Sequence, residues 1–166
     1  RLALEETDPA AWQWTFDVNV NGTLLALRNS IPRMRAHKSA GHVVITSSMG
    51  AFLVRPKNGV YSASKAAIVA IAEALREECA GSAIGVSVLC PGLVSTQLIE
   101  GNAEQGPSGV CLGEHEPELE RAMRLALDSN SVGRLVVQGI YQGKFWLFTH
   151  PELKDALESR FSEITL

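Results

Sequence analysis

Tyr61 and Lys65 stand four residues apart in Y-S-A-S-K, and Ser48 precedes the tyrosine by thirteen residues. A free phenol ionises only near pH ~10, so it needs help to move a proton at neutral pH. A lysine one helical turn along the same face brings positive charge, which favours the phenolate. A serine hydroxyl delivered from another segment can hold a substrate oxygen by hydrogen bond. Phenol, ammonium and hydroxyl together suit acid–base work on an alcohol or a carbonyl.

Tyr-x-x-x-Lys alone is a weak sign, because an aromatic ring under a lysine stem is ordinary helix packing at this spacing. Its setting says more. Gly41-His42 leads into Val43-Val44-Ile45-Thr46, a β-branched run typical of a buried parallel strand. Ser47-Ser48 therefore fall at the C-terminal end of a strand, where open α/β sheets place their ligands. Small residues (Ser62, Ala63, Ser64, Ala66, Ala67) surround the pair and let another backbone or a cofactor come close. A second strand, Ile84 to Leu89, stops at Pro91-Gly92, and Cys90 to Thr96 follow that strand end with a turn and hydroxyl groups.

The elements that must position these residues are legible in outline. Thr7-Asp8-Pro9 is a helix start, with a capping side chain and a proline where the missing N–H costs nothing. Apolar residues then recur at Trp12, Phe16, Val20, Leu24, Leu27, Ile31 and Met34, the stripe of one long helix over about 9–36. Asn19 and Gly22 mark a local distortion in it, and Pro32 lies near its end. A second helix spans about 60–80 and ends at Gly81. Gln97 to Pro117, rich in Gly, Glu and Pro, reads as a loop. Helical pattern resumes over Glu118–Leu127 and Ser131–Tyr141; Lys144–Phe148 reads as a third strand and Pro151–Ser162 as a last helix. Alternating strands and helices imply right-handed crossovers and a parallel sheet covered on both faces. Three strands are thin for such a sheet, and its first strand would expose an edge that proteins usually cover.

The bulk composition narrows the classes. The chain has 166 residues, 46% hydrophobic and 20% charged, with a net charge of −3, as expected of one globular domain. No basic stripe suggests nucleic acid, and no apolar run reaches the roughly 20 residues of a membrane-spanning helix. Cys79, Cys90 and Cys111 lack zinc-type spacing and read as reduced thiols, which points to the cytoplasm. Cys111, Glu114, His115 and Glu116 are too few and too loop-bound to expect a metal site. His37, His42 and His150 fall near element ends, where surface polar roles dominate. The first methionine is Met34 and no charged-then-apolar leader opens the chain, so Arg1 reads as an internal position with upstream sequence missing.

Four segments carry a resemblance: N-V-N-G at 19–22, V-V-I-T-S-S at 43–48, Y-S-A-S-K at 61–65 and P-G-L-V-S-T at 91–96. In order and spacing the chain resembles the C-terminal portion of a short-chain dehydrogenase/reductase, from about Thr7 to Phe148. The resemblance implies a partial doubly wound parallel (Rossmann-like) sheet, with residues 1–166 forming the catalytic portion of a single domain. It implies an oxidoreductase that interconverts a small-molecule alcohol and its carbonyl compound with NAD or NADP. Tyr61 would be the general acid/base. Lys65 would favour the tyrosinate and bind the nicotinamide ribose, while Ser48 polarises the substrate oxygen and Asn19 holds a proton-relaying water. Val94 and Thr96 would meet the nicotinamide carboxamide, with Pro91-Gly92 letting the backbone approach it. The loop at 97–117 would cover the substrate, and the helices at about 9–36 and 60–80 would build a homodimer or homotetramer. The family's T-G-x-x-x-G-x-G turn is absent from these residues. A chain without it is expected to bind the cofactor poorly. The alternative is a truncated, non-catalytic chain that persists by pairing with a full-length subunit.

Overall fold

The structure, a computed structural model, describes residues 3–96 and 126–165. The loop expected over 97–117 lies outside the described residues, as does all of the helix expected over Glu118–Leu127 except its end. The long N-terminal helix forms as its stripe predicts, in two α-helical pieces, α1 (Pro9–Phe16) and α2 (Gly22–His37). The Asp8 carboxylate accepts the Ala10 N–H at 2.8 Å, and Pro9 follows it in the first turn. Between the two pieces, Asp17–Asn21 form a π-helical turn, the distortion that Asn19 and Gly22 signal. Pro32 lies inside α2, which runs on to a left-handed Lys38 (φ 53°).

β1 (Gly41–Thr46), β2 (Ile84–Cys90) and β5 (Trp146–Phe148) make a parallel sheet in the order β1-β2-β5. β1 registers on β2 from Gly41↔Ile84 to Thr46↔Leu89, and β2 on β5 from Val88↔Trp146 to Cys90↔Phe148. Among the described residues β1 has a neighbour on one side only, the exposed edge anticipated from the strand count. α3 (Gly59–Glu78) crosses from β1 to β2, and α4 (Ser129–Tyr141) precedes β5. α5 (Lys154–Ile164) follows β5 after a short 3-10 turn at Pro151–Leu153. The fold is thus a partial sheet of parallel strands with flanking helices, as the alternation of patterns requires.

One expectation is corrected. Leu127, assigned to the end of a helix, pairs as a strand: β4 (Leu127–Asp128) lies parallel to β3 (Val94–Ser95). Two-residue strands have no periodicity to read. Asp128 then caps α4, accepting the Ser131 hydroxyl at 2.5 Å and the Ser131 N–H at 3.0 Å, and these bonds, the hydroxyl's first, hold its carboxyl below the ordinary range.

The core lies between α3 and the sheet. Ile68, Ala72, Val88 and Cys90 are fully buried there, with Ile45, Leu75, Ile84 and Val86 around them. Burial pushes the Cys90 thiol up to about 12, so it stays protonated and unreactive. In the same cluster Phe52 packs edge-on against Trp146 and Phe148, whose rings stack at 5.8 Å.

His42 is not the solvated element-end residue its position suggested. It lies within β1, its Nε2 is 2.7 Å from Ser87 Oγ, and the Ser87 hydroxyl donates to the Lys144 carbonyl at 2.6 Å. Ser87 spends its proton on Lys144, so it accepts from a His42 that carries hydrogen on Nε2. These bonds join β1, β2 and the turn leading into β5 through a serine that is wholly buried. Ser87→Ala is expected to cost about 1–3 kcal/mol, read as a lower urea midpoint with unchanged slope. An unchanged midpoint would show that the two bonds carry no net stability.

Candidate active site

Each of the three parallel strands delivers a short pair of residues beyond its C-terminal end. β1 runs into Ser47-Ser48, β2 into Pro91-Gly92 and β5 into Thr149-His150. Ser47 ties the first of these to the helix above it. Its N–H donates to Leu89 O at 2.7 Å and its hydroxyl to Lys65 O at 2.7 Å. Since Ser47 is 2% exposed, this pins the last residue of the Y-S-A-S-K turn to the strand end.

Ser48 is extended and caps a 3-10 turn, Met49–Ala51, its Oγ accepting the Gly50 N–H at 3.0 Å. With Oγ so engaged as an acceptor, the hydroxyl proton is left to donate outwards. Gly50 is where the serine and tyrosine meet. A Cβ there would lie 3.4 Å from Ser48 Oγ and 3.3 Å from Tyr61 Cε1. A side chain there would make the Tyr61 ring edge give by a few tenths of an ångström.

Tyr61 and Lys65 share one face of α3. The Lys65 ammonium lies 5.7 Å from the centre of the Tyr61 ring and donates to Thr46 O at 3.3 Å. Half-buried and without a carboxylate partner among the described residues, it is disfavoured as a cation, and burial lowers its pKa from the ordinary lysine value. One long bond to a carbonyl leaves most of its hydrogen-bonding capacity unspent.

Asn19 arrives from the π-turn. Its Nδ2 donates to Ser64 Oγ at 2.9 Å, and the Ser64 hydroxyl donates to Tyr61 O at 2.8 Å. The unwound turn therefore reaches the backbone of the tyrosine through a wholly buried serine. The Pro91 carbonyl accepts the Met49 N–H at 2.8 Å, so the Pro91-Gly92 turn is stitched to the segment bearing Ser48. Val94 lies beyond it in β3, and Thr96 follows. Of the residues the sequence singles out, Ser48, Tyr61 and Lys65 form one cluster. Asn19 joins it through Ser64, and Pro91 and Gly92 through the backbone.

Sequence reasoning missed Thr149 and His150. Gly92 N–H points at both, 3.1 Å from Thr149 Oγ1 and 3.2 Å from His150 Nδ1. The space beside the Gly92 Cα faces the His150 ring, which a Cβ would meet at 2.6 Å. The available signal was positional, a Thr-His pair directly after the apolar Trp146-Leu147-Phe148 strand.

A family profile described as short chain dehydrogenase matches residues 2–106, which include the Ser48, Tyr61, Lys65 and Pro91-Gly92 segments. The chain belongs to the short-chain dehydrogenase family. It is 29% identical over 166 residues to a C alpha-dehydrogenase of Sphingobium sp., covering 97% of this chain and 54% of the relative. It is 30% identical over 150 residues to a 1-deoxy-11-beta-hydroxypentalenate dehydrogenase of Streptomyces exfoliatus, covering 90% and 50%. Among solved structures, a short chain dehydrogenase/reductase from Burkholderia phymatum in complex with NAD superposes with a TM-score of 0.85 at 29% identity. That match covers 98% of this chain and 62% of the other. The chain thus spans about half the length of the curated short-chain dehydrogenases it matches.

Proposed function

We propose that this chain carries the proton-transfer part of an NAD(P)-dependent short-chain dehydrogenase that interconverts a secondary alcohol and its carbonyl compound. The approach of Ser48 and Tyr61 at Gly50, with the Lys65 ammonium 5.7 Å from the centre of the Tyr61 ring, is the observation that carries this reading. In the oxidising direction the Tyr61 oxygen takes the alcohol's hydroxyl proton, and in the reducing direction its O–H protonates the carbonyl oxygen. Ser48 donates its free proton to that same oxygen and holds it still. Lys65 supplies the positive charge that favours the tyrosinate. The nicotinamide cofactor, when bound, accepts or returns the hydride.

The residues present fit one end of that cofactor. An ammonium with unspent N–H donors beside a phenol suits the hydroxyls of a ribose. The 166 residues contain no glycine-rich turn to cradle a pyrophosphate. Lys65 and Tyr61 would hold the ribose, and the Pro91–Thr96 segment would lie against the carboxamide, with Asn19 supporting the helix from below. Trp12, Val18, Leu24 and Leu25 are exposed on the first long helix, which supports association of copies through it.

The test uses the longest natural polypeptide that contains these residues. Formation of reduced nicotinamide is followed with NAD or NADP and a panel of secondary alcohols, 1-deoxy-11-beta-hydroxypentalenate among them. Turnover dependent on both alcohol and cofactor is expected. No turnover with any member, together with no binding of NADH or NADPH, would sink the reading.

A further inference from the structure

Two of the three strand ends already hold residues of the site; the third, Thr149-His150, has had no role. Its geometry fixes its proton positions. Gly92 N–H is shared between Thr149 Oγ1 and His150 Nδ1, at 3.1 and 3.2 Å, and these two acceptors lie 2.6 Å from each other. A hydrogen on Nδ1 would oppose the Gly92 hydrogen, so Nδ1 presents its lone pair. Thr149 then donates its one hydroxyl proton to Nδ1, and the ring carries its hydrogen on Nε2. The threonine is 5% exposed, so the triangle is shielded from water on that side. The ring also fills the space beside the Gly92 Cα, where a Cβ would stand 2.6–2.9 Å from three of its atoms.

The same turn is held from two further directions. Met49 N–H donates to Pro91 O at 2.8 Å, and Leu127 N–H donates to Leu93 O at 3.0 Å. Three consecutive residues are therefore each fixed by a different element: the Ser48 segment, the end of β5, and β4. We propose that Thr149 and His150 are positioning residues. They hold the Gly92 amide inward and so set the Pro91–Leu93 turn for the nicotinamide end of the cofactor. This rests on the reading of the site given above. Neither residue touches the reacting atoms; both act through Gly92.

The experiment compares Thr149→Val and His150→Phe with the unaltered protein, using the longest natural polypeptide that contains the chain. Two readouts are taken: hydrogen exchange of the Gly92 amide by NMR, and dissociation constants for the reduced cofactor and for ADP-ribose, or its 2′-phosphate if NADPH is preferred. ADP-ribose lacks the nicotinamide. Each variant is expected to speed Gly92 exchange about tenfold, the loss of about one hydrogen bond. Affinity for the reduced cofactor should fall about five- to tenfold, with ADP-ribose unchanged. Thr149→Ser keeps the hydroxyl and His150→Asn can accept in place of Nδ1, so both should restore most of the protection. Unchanged Gly92 exchange in both losing variants overturns the proposal, as does equal weakening of the two ligands, which marks a general structural role. If the unaltered protein binds neither ligand, the dinucleotide reading has failed and the nicotinamide role goes with it. The exchange rates then report separately whether the pair holds the turn.

Discussion

Tyr61→Phe is expected to lower kcat/KM about 10²–10⁴-fold, the range a positioned acid/base contributes, with little change in stability or cofactor affinity. The substitution removes one oxygen and keeps the ring. That ring is half-buried at the start of α3, its edge against Gly50, so the contacts that hold it survive. What disappears is the group able to exchange a proton with a substrate oxygen held by Ser48. Ser48 cannot replace it, because an aliphatic hydroxyl is a far weaker acid than a phenol and does not ionise near neutral pH. The measurement is steady-state turnover alongside the dissociation constant of the reduced cofactor. Turnover within a few-fold of the unaltered protein would remove Tyr61 from the acid/base role. A matching loss of cofactor binding would mean instead that the hydroxyl serves binding.

Ser48 and the tyrosine–lysine pair were legible because their chemistry is local: two residues share a helix face and a third ends a β-branched strand. The long helix was legible through its apolar stripe, and even its π-turn was marked by Asn19 and Gly22. What stayed hidden depended on distant partners. His42 bonds to a residue 45 positions away and His150 to one 58 positions away, and no spacing rule links such pairs. Both histidines therefore looked like surface residues at element ends. The β3–β4 pair was invisible for a related reason. Its two-residue strands are fixed by the turn after Pro91-Gly92 and by the Leu127–Leu93 bond, not by any pattern of their own. Gly92 shows the same limit in reverse. The sequence marked it as a place of close approach, and the side group that approaches is a histidine of this chain.

Lys65→Met is expected to separate function from stability more sharply than any other change in the site. Lys65 sits half-buried with a carbonyl, not a carboxylate, for a partner, and burial lowers its pKa from the usual lysine value. A lowered folded-state pKa means that the unfolded chain binds this proton more tightly than the folded chain. While the lysine is charged in both states, the fold therefore carries the cost of a desolvated charge. That cost would be relieved only as pH rises through the folded-state value. Methionine keeps much of the stem's packing and carries no charge, so at neutral pH the variant's Tm should match or exceed that of the unaltered protein. The Ser47 bond to the Lys65 carbonyl is a backbone contact and remains available. Catalysis should fare differently. On the proposed reading Lys65 serves both the proton transfer and the ribose, so without its ammonium kcat should fall and cofactor affinity should weaken together, by about 10²–10³-fold in kcat/KM. Thermal unfolding and turnover measured on the same preparation decide the matter. Lost turnover with Tm held or raised identifies a charge kept for chemistry at the expense of the fold. A marked fall in Tm would make Lys65 a structural residue whose loss of activity needs no catalytic explanation.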